Sequence, residues 1–389
     1  MKVNARELDP SALGVPISGA AVSTRVWGLG VRVFHWSLVA AVGVALVTGL
    51  YTSPRFLNLH LGAGAAIGGL IAFRILWGFM GPTYARFSGF PVAPSAIAAD
   101  LAGFATGRRP RYLGHNPLGS LMVLALLAVL TLSVITGVVT LGGVDKQGPA
   151  AFIVSYAAGA EIQTVHRALA YGLLLMILGH LFGVAYESVR GHPKLLLTMV
   201  TGEKEVLPAN DTARSARARP IGAALTLTLV LASAAGLVAA YSSHRPYGVP
   251  VDPLDGTYVK ECGSCHFAYP PSLSPRSRWM ALMDGLSDHF GEDASLEPDV
   301  AARIRAYLAK NSAETWDTRA SHEFALANPS DPLRLTATPY WRWMHRGIPD
   351  AVFTSPQVRA KGACDACHSD AATGRFDPQA IDIPERAFR

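Results

Sequence analysis

Charge is sparse in this chain. Only 16% of its 389 residues are Asp, Glu, Lys or Arg, while half are hydrophobic, which excludes an ordinary soluble protein over much of its length. Cysteine is scarcer still: four residues, too few for the disulfide framework of a small secreted fold. The N-terminus lacks a short apolar segment followed by a small-residue cleavage site, so the first apolar run reads as an uncleaved anchor, not a signal peptide. There is no basic patch with interleaved aromatics either. The arginines are scattered between apolar runs, which argues against a nucleic-acid partner.

The cysteines that are present all fall in two copies of one signature, Cys262-Gly-Ser-Cys265-His266 and Cys364-Asp-Ala-Cys367-His368. C-x-x-C-H is the attachment pattern of c-type haem, in which two thiols bond the porphyrin vinyls and the histidine ligates the iron. Zinc sites and redox dithiols also use C-x-x-C, but neither needs a histidine after both pairs. Two covalent haems c are therefore expected, together with an oxidising compartment and electron carriage. The motifs lie 102 residues apart in dissimilar surroundings, so they do not mark an internal repeat.

Charge divides the chain. Residues 1–241 hold 18 basic against 9 acidic side chains, and residues 242–389 hold 16 against 19. Five runs in the first part approach the roughly 20 residues that a bilayer requires: Phe34–Tyr51, Leu59–Met80, Leu118–Leu141, Val165–Tyr186 and Ile221–Tyr241. Arg25 and Arg32 precede the first. Arg86, Arg108, Arg109 and Arg111 follow the second; Arg190, Lys194, Lys204, Arg214, Arg217 and Arg219 follow the fourth. The opposite loops hold little beyond Arg55, Lys146 and Arg167. The excess of positive charge on one side predicts a cytoplasmic N-terminus and, after five crossings, a periplasmic C-terminal domain. Both C-x-x-C-H motifs then reach the compartment that their chemistry needs.

His35, His60, His166 and His180 lie within or at the ends of the apolar runs, where ionisable side chains usually mark function. His166 and His180 are 14 residues apart on one helix, about 40° short of four turns and about 21 Å along the axis. Sorted by depth, His60 pairs with His166 near the outer face and His35 with His180 near the inner face. Each pair suits a haem b held between helices of a bundle. Arg74 lies near the inner pair's depth, and Arg32 and Arg167 each stand close to a candidate ligand. All three are candidate contacts for haem propionates, with snorkelling as the competing account of Arg74. His115, just before Pro117 and the third run, reads as an interface or capping residue.

Several pieces of residues 25–205 together resemble the bacterial cytochrome b561 family and, with it, the b-type subunits of hydrogenases and formate dehydrogenases. They are Arg32-Val-Phe-His35-Trp36, His60-Leu-Gly-Ala-Gly64, Arg74-Ile-Leu-Trp77-Gly-Phe, Tyr84-Ala-Arg86-Phe87, His115-Asn-Pro-Leu-Gly119, the His166/His180 pair and Met199-Val-Thr-Gly-Glu-Lys204. The resemblance implies two haems b and electron exchange with quinone. Residues 255–385 resemble the dihaem cytochrome c family through Glu261–Pro271, Asp288–Ser295, Trp343-Met-His345-Arg and Ala366–Asp370. Candidates for the distal c-haem ligands are His244, His289, His322, His345, Met280, Met283 and Met344, and the second resemblance favours His289 and His345. Four six-coordinate haems would take eight of the twelve histidines, leaving His115, His192, His244 and His322.

The expected fold is mainly α. A four-helix haem b bundle (25–205) follows a cytoplasmic segment (1–24). A basic linker (206–220) and a fifth, tethering membrane helix (221–241) lead to a loop-rich, partly helical dihaem cytochrome c domain (242–389), with helices over Ser277–Phe290 and Pro298–Lys310. The expected function is electron transfer in the bacterial inner membrane, from the quinol pool to a soluble periplasmic acceptor such as a cytochrome c. That amounts to a quinol:cytochrome oxidoreductase activity. Two alternatives are oxidation of superoxide with reduction of quinone, and an electron-relay subunit for a partner dehydrogenase. A homo-oligomer is also compatible with the sequence.

Overall fold

The computed structural model describes residues 22–51, 56–106, 112–190, 195–206 and 217–384. Most of the expected cytoplasmic segment and basic linker, with Arg55, Arg108, Arg109, Arg111, His192, Lys194 and Arg214, lies outside the described residues. The first part of the chain runs β1 (Val22–Arg25), α1 (Leu29–Leu50), α2 (Leu57–Met80), α3 (Pro94–Thr106), α4 (Pro117–Val144), α5 (Tyr156–Arg190), α6 (Leu195–Thr201), β2 (Glu203–Val206) and α7 (Pro220–Ser242). By length and composition α1, α2, α4, α5 and α7 are long and apolar enough to cross a membrane, and they cover the five expected runs. Proline opens α3, α4 and α7, where its missing N–H costs nothing. Hydroxyls inside α4 are satisfied within the helix: Thr131, Ser133 and Thr136 donate to the carbonyls of Leu127, Val129 and Leu132 at 2.7–2.8 Å.

Two differences from the sequence expectation concern boundaries. Helix α5 starts at Tyr156, nine residues before the apolar run, because Glu161 and Gln163 break hydropathy without breaking helical hydrogen bonding. Helix α3 lies in what the sequence suggested was only a basic loop; its short apolar stretch falls below membrane length. Asp100 of α3 is buried and accepts from the backbone N–H of Leu118 at the start of α4 (3.2 Å), satisfying a free helix-end donor.

The chain forms two compact units. The first gathers residues up to Ser37, Ala72–Leu126 and Leu175–Leu227. In it β1 and β2 pair antiparallel, Val22 opposite Val206 and Arg25 opposite Glu203, a small sheet that the mainly α expectation did not specify. Gly202 anchors the pairing. Its carbonyl accepts from the N–H groups of Val26 (2.9 Å) and Trp27 (3.0 Å), at φ +85°. A Cβ there would lie 2.5 Å from the Trp27 carbonyl, so both conformation and space require glycine. Val26, Trp27, Val31 and Ala85 form a core around it with Trp77, Tyr84 and Met199.

The second unit comprises Leu38–Ile71, Leu127–Leu174 and everything from Thr228 onward. Its C-terminal domain contains α8 (Gly256–Cys262), α9 (Arg276–Asp284), α10 (Pro298–Lys310), α11 (Arg319–Glu323), α12 (Pro339–His345) and α13 (Asp350–Phe353), joined by 3₁₀ turns. Helix α10 matches its expected span. The expected Ser277–Phe290 helix stops at Asp284, before Gly285, and a tight turn then carries the chain to His289 and to Phe290 at φ +57°. Asp255 caps α8, accepting from Thr257 and Tyr258 N–H at 2.9 Å, and so sets the approach to Cys262. Two small cores hold the domain. One packs Tyr258, Trp279, Met283, Ile304 and Leu308; the other packs Leu273, Phe324, Trp341, Val352 and Phe353.

Replacing Gly202 with alanine is expected to cost about 2 kcal/mol through the forced φ and the clash with Trp27. Thermal melting of the purified protein should show a clearly lowered midpoint. Gly28→Ala, where a Cβ meets nothing within 4 Å, should leave it nearly unchanged.

Candidate functional site

The histidines singled out from the sequence come together in pairs. An iron between two imidazoles needs bonds of about 2 Å on each side, which sets the ring centres about 6 Å apart. His60 and His166 stand 6.2 Å apart by ring centroid, His266 and His289 6.2 Å, and His345 and His368 6.2 Å. These spacings fit a haem iron in each of the three measured pairs.

Hydrogen bonds orient the rings for that role. His60 Nδ1–H donates to the Ala45 carbonyl (3.0 Å) and lies 3.2 Å from Thr48 Oγ1. His166 Nδ1–H donates to Thr136 Oγ1 (3.0 Å), whose own proton is used on Leu132. His266 and His345 direct Nδ1 to the carbonyls of Phe267 and Trp341, both at 2.8 Å. In each case Nε2 is left free, and a donated Nδ1 proton strengthens the imidazole as a ligand. In the C-terminal domain burial pushes His345 and His368 below the ordinary imidazole range, and burial with the neighbouring His266 does the same to His289. The neutral ring is the metal-binding form.

Four residues around the His60–His166 pair escaped the sequence analysis, although a signal was there. Thr48-Gly49 in α1 and Thr136-Gly137 in α4 are the same dipeptide on different helices. The threonine meets Nδ1 of the histidine, and the glycine makes room for the ring. A Cβ at residue 49 would come within 2.9 Å of His60, and one at 137 within 3.3 Å of His166. The same spacing is not visible around His35, whose Nδ1 is buried with no hydrogen-bond partner among the described residues.

Among the open alternatives, His322 is occupied elsewhere. Its Nε2 bonds Asp317 at 2.9 Å and its ring stacks on Tyr156 at 4.7 Å. His244 bonds the Ala240 carbonyl and lies against Phe152. Met283 is buried in the core with Trp279 and Ile304. Trp341 stacks on His345 at 4.4 Å and fixes that ring between α12 and the second motif.

The three arginines differ. Arg74 is 4% exposed, donates to the Ala85 carbonyl (3.2 Å) and lies 4.6 Å over the Phe87 ring, so it does not snorkel. Arg32 donates to the Val200 carbonyl at the end of α6. Arg167 is exposed beside His166. His115 packs between Trp27 (4.7 Å) and Phe90 (4.8 Å), the interface role expected of it. Burial, with Arg74, Lys204 and His180 nearby, pushes it down to about 4.

Both parts of the chain are similar to known proteins. Residues 26–202 match the family of prokaryotic cytochrome b561, and residues 258–376 match dihaem cytochrome c. Over 213 residues, 47% of this chain and 81% of the relative, it is 20% identical to a probable Ni/Fe-hydrogenase B-type cytochrome subunit of Rhodobacter capsulatus. Over 218 residues, 48% of this chain and 92% of the relative, it is 22% identical to a probable Ni/Fe-hydrogenase 1 B-type cytochrome subunit of Escherichia coli. Solved dihaem cytochromes c from Shewanella baltica and Rhodobacter sphaeroides are each 34% identical. They cover 34% and 32% of this chain and 96% and 98% of their own, with TM-scores of 0.28 and 0.24. The protein is a multi-pass membrane cytochrome of electron transport, with a cytochrome b561 domain in its first part and a dihaem cytochrome c domain in its second.

His345→Ala is expected to convert one low-spin haem c to high spin, whereas His322→Ala should leave the spectrum unchanged. Near-infrared and EPR spectra of the purified variants check both. Thr136→Val removes the acceptor on His166 Nδ1 and should shift the midpoint potential of one haem b by some tens of millivolts, read by optical redox titration.

Proposed function

We propose that this protein oxidises membrane quinol and passes the electrons to a soluble periplasmic acceptor, such as a cytochrome c. The observation that carries the proposal is the covalent union of a b561 domain with a dihaem c domain, each supplied with paired imidazoles. His35 with His180 and His60 with His166 would hold two haems b. His266 with His289 and His368 with His345 would ligate two haems c bound through Cys262, Cys265, Cys364 and Cys367. Arg32, Arg74 and Arg167 would serve the propionates. A haem supplies one-electron chemistry, and these residues hold it in place and tune its potential.

The proposed setting is the bacterial inner membrane, with the N-terminus cytoplasmic, α7 as the re-crossing tether and the C-terminal domain periplasmic. The excess of basic residues such as Arg25, Arg86, Lys204 and Arg217 on one set of loops, with few on the other, supports that orientation. Likeness to hydrogenase B-type subunits favours a second reading, in which a partner dehydrogenase is the electron donor. A superoxide-oxidising role has less support, because Lys146, one of few basic residues beside the C-terminal domain, is neutralised by Asp317 at 2.7 Å.

Anaerobic addition of a reduced quinol analogue to the purified protein, with the b and c α-bands followed separately, tests the proposal. Both bands should be reduced in turn on a catalytic timescale. Reduction that fails to reach the c bands, or b bands that stay oxidised, would overturn it in favour of a partner dehydrogenase.

A further inference from the structure

Building on that electron-relay reading, we propose that the two halves of the C-terminal domain have different addresses. The half around Cys364, Cys367 and His368 is docked on the membrane helices and receives electrons from them. The half around Cys262, Cys265 and His266 is left open to the soluble acceptor. The order along the electron path is thus the reverse of the order in sequence.

A cluster of charge carries this. The turn between α4 and α5 presents Asp145, Lys146 and Gln147, and Tyr156 opens α5. Lys146 Nζ pairs with Asp317 Oδ2 at 2.7 Å, and the same carboxylate accepts from the Tyr156 N–H at 2.8 Å. Arg319 pairs with Asp145 at 2.8 Å, Tyr156 OH donates to Glu323, and Gln147 Nε2 donates to Asp377. Backbone bonds close the ring: Tyr247 N–H to Ala151 O (2.8 Å) and Asp317 N–H to Gly248 O (2.7 Å). Lys146 is 3% exposed, so the contact is desolvated and not a loose surface pairing. Burial raises the Asp145 carboxyl against the pull of Arg319. For Asp317 burial is outweighed by its bonds from Lys146, Tyr156 and His322, which hold it below the usual range.

Apart from Tyr247 and Gly248 in the linker before α8, the C-terminal partners Asp317, Arg319, Glu323 and Asp377 belong to the second haem-attachment half or its shell. Arg319 and Glu323 lie on α11, whose Ala320 shares a core with Trp341 and, around it, Cys367 and Phe376. Phe376 lies 5.1 Å from the His368 ring, and Asp377 N–H bonds Asp370 Oδ2 at 2.8 Å. Among the described residues no hydrogen bond or ion pair joins the α4–α5 turn to residues 256–312. Gly263, Ser264, Cys265 and His266 are exposed. Each quinol gives up two electrons and two protons; the protons leave to water, the electrons pass one at a time through the protein to two molecules of the soluble carrier, and no bond in the protein forms or breaks.

Hydrogen exchange read by mass spectrometry on the full haem-loaded chain tests the arrangement. In Arg319→Glu, segments holding the Tyr156, Tyr247 and Asp317 amides, and residues 375–382, should exchange tenfold faster or more than in the native protein. The swap Asp145→Arg with Arg319→Glu should restore protection, which separates undocking from misfolding. Residues 262–268 should not respond to either change. In the single variant, quinol should reduce the c bands more slowly, while reduction from solution by a reduced soluble cytochrome c keeps its rate. Faster exchange at 262–268 in place of 375–382, or an unchanged pattern at 375–382, would overturn the proposal. A quinol that never reduces the b bands would defeat the quinol function alone, because the exchange pattern does not depend on the donor.

Discussion

Two imidazoles that share one iron must face each other across about 6 Å, and most of this structure can be traced to that constraint. In the membrane part it is met by rigid helices. His60 of α2 and His166 of α5 are each held by a hydroxyl from a neighbouring helix, with a glycine beside the hydroxyl where the ring passes. In the C-terminal domain the helices are too short for such a solution. There His266 leans on the carbonyl of the next residue, while His345 sits at the end of α12 on the carbonyl four residues back, under the face of Trp341. Different local structures reach the same separation of 6.2 Å.

Buried cations are satisfied in two ways. In the first unit, positive side chains are spent on backbone carbonyls: Arg74 on Ala85, Arg86 on Gly81 and Arg217, Lys204 on Tyr112 and Leu113. Carbonyls at helix ends and in tight loops carry partial negative charge without a full desolvation penalty. Such a site keeps net positive charge, which suits the carboxylates of a haem. In the second unit Arg278 likewise donates to the Phe324 and Ala325 carbonyls, but at the α4–α5 turn cations meet carboxylates directly, as in Lys146–Asp317 and Arg319–Asp145. Full pairing there fixes geometry, and it leaves little field to attract small anions from solution.

Helix capping and backbone shape link these features to the cofactor motifs. Asp255 starts α8 so that its last turn delivers Cys262, and Thr338 starts α12 so that its last turn delivers His345, its hydroxyl accepting from Trp341 N–H. Gly202 plays the matching part in the first unit, binding the entry to α1 to the exit from α6. Arg32, three residues into α1, thereby meets the carbonyl of Val200.

Much of the chemistry was legible in the sequence because covalent attachment and membrane insertion both leave local signatures. C-x-x-C-H needs its residues adjacent, so the haem-attachment sites are written in five letters. A span must be apolar along its own length, so five membrane helices stood out. Pairing of His60 with His166 followed from depth alone, since a straight helix converts residue number into height. What needed the folded chain was whatever depends on two distant segments meeting. The Thr-Gly pairs acquire meaning only once α1 lies against α2 and α4 against α5. His322 is as good a ligand as His345 on paper, and it is withdrawn by Asp317 and Tyr156. The strand pair across Gly202, the break at Gly285 and the docking of α11 on the α4–α5 turn likewise rest on contacts between segments far apart in the chain. Local patterns are set by bonding along the chain, whereas partners across space are chosen by packing and by the cost of leaving a buried polar group alone.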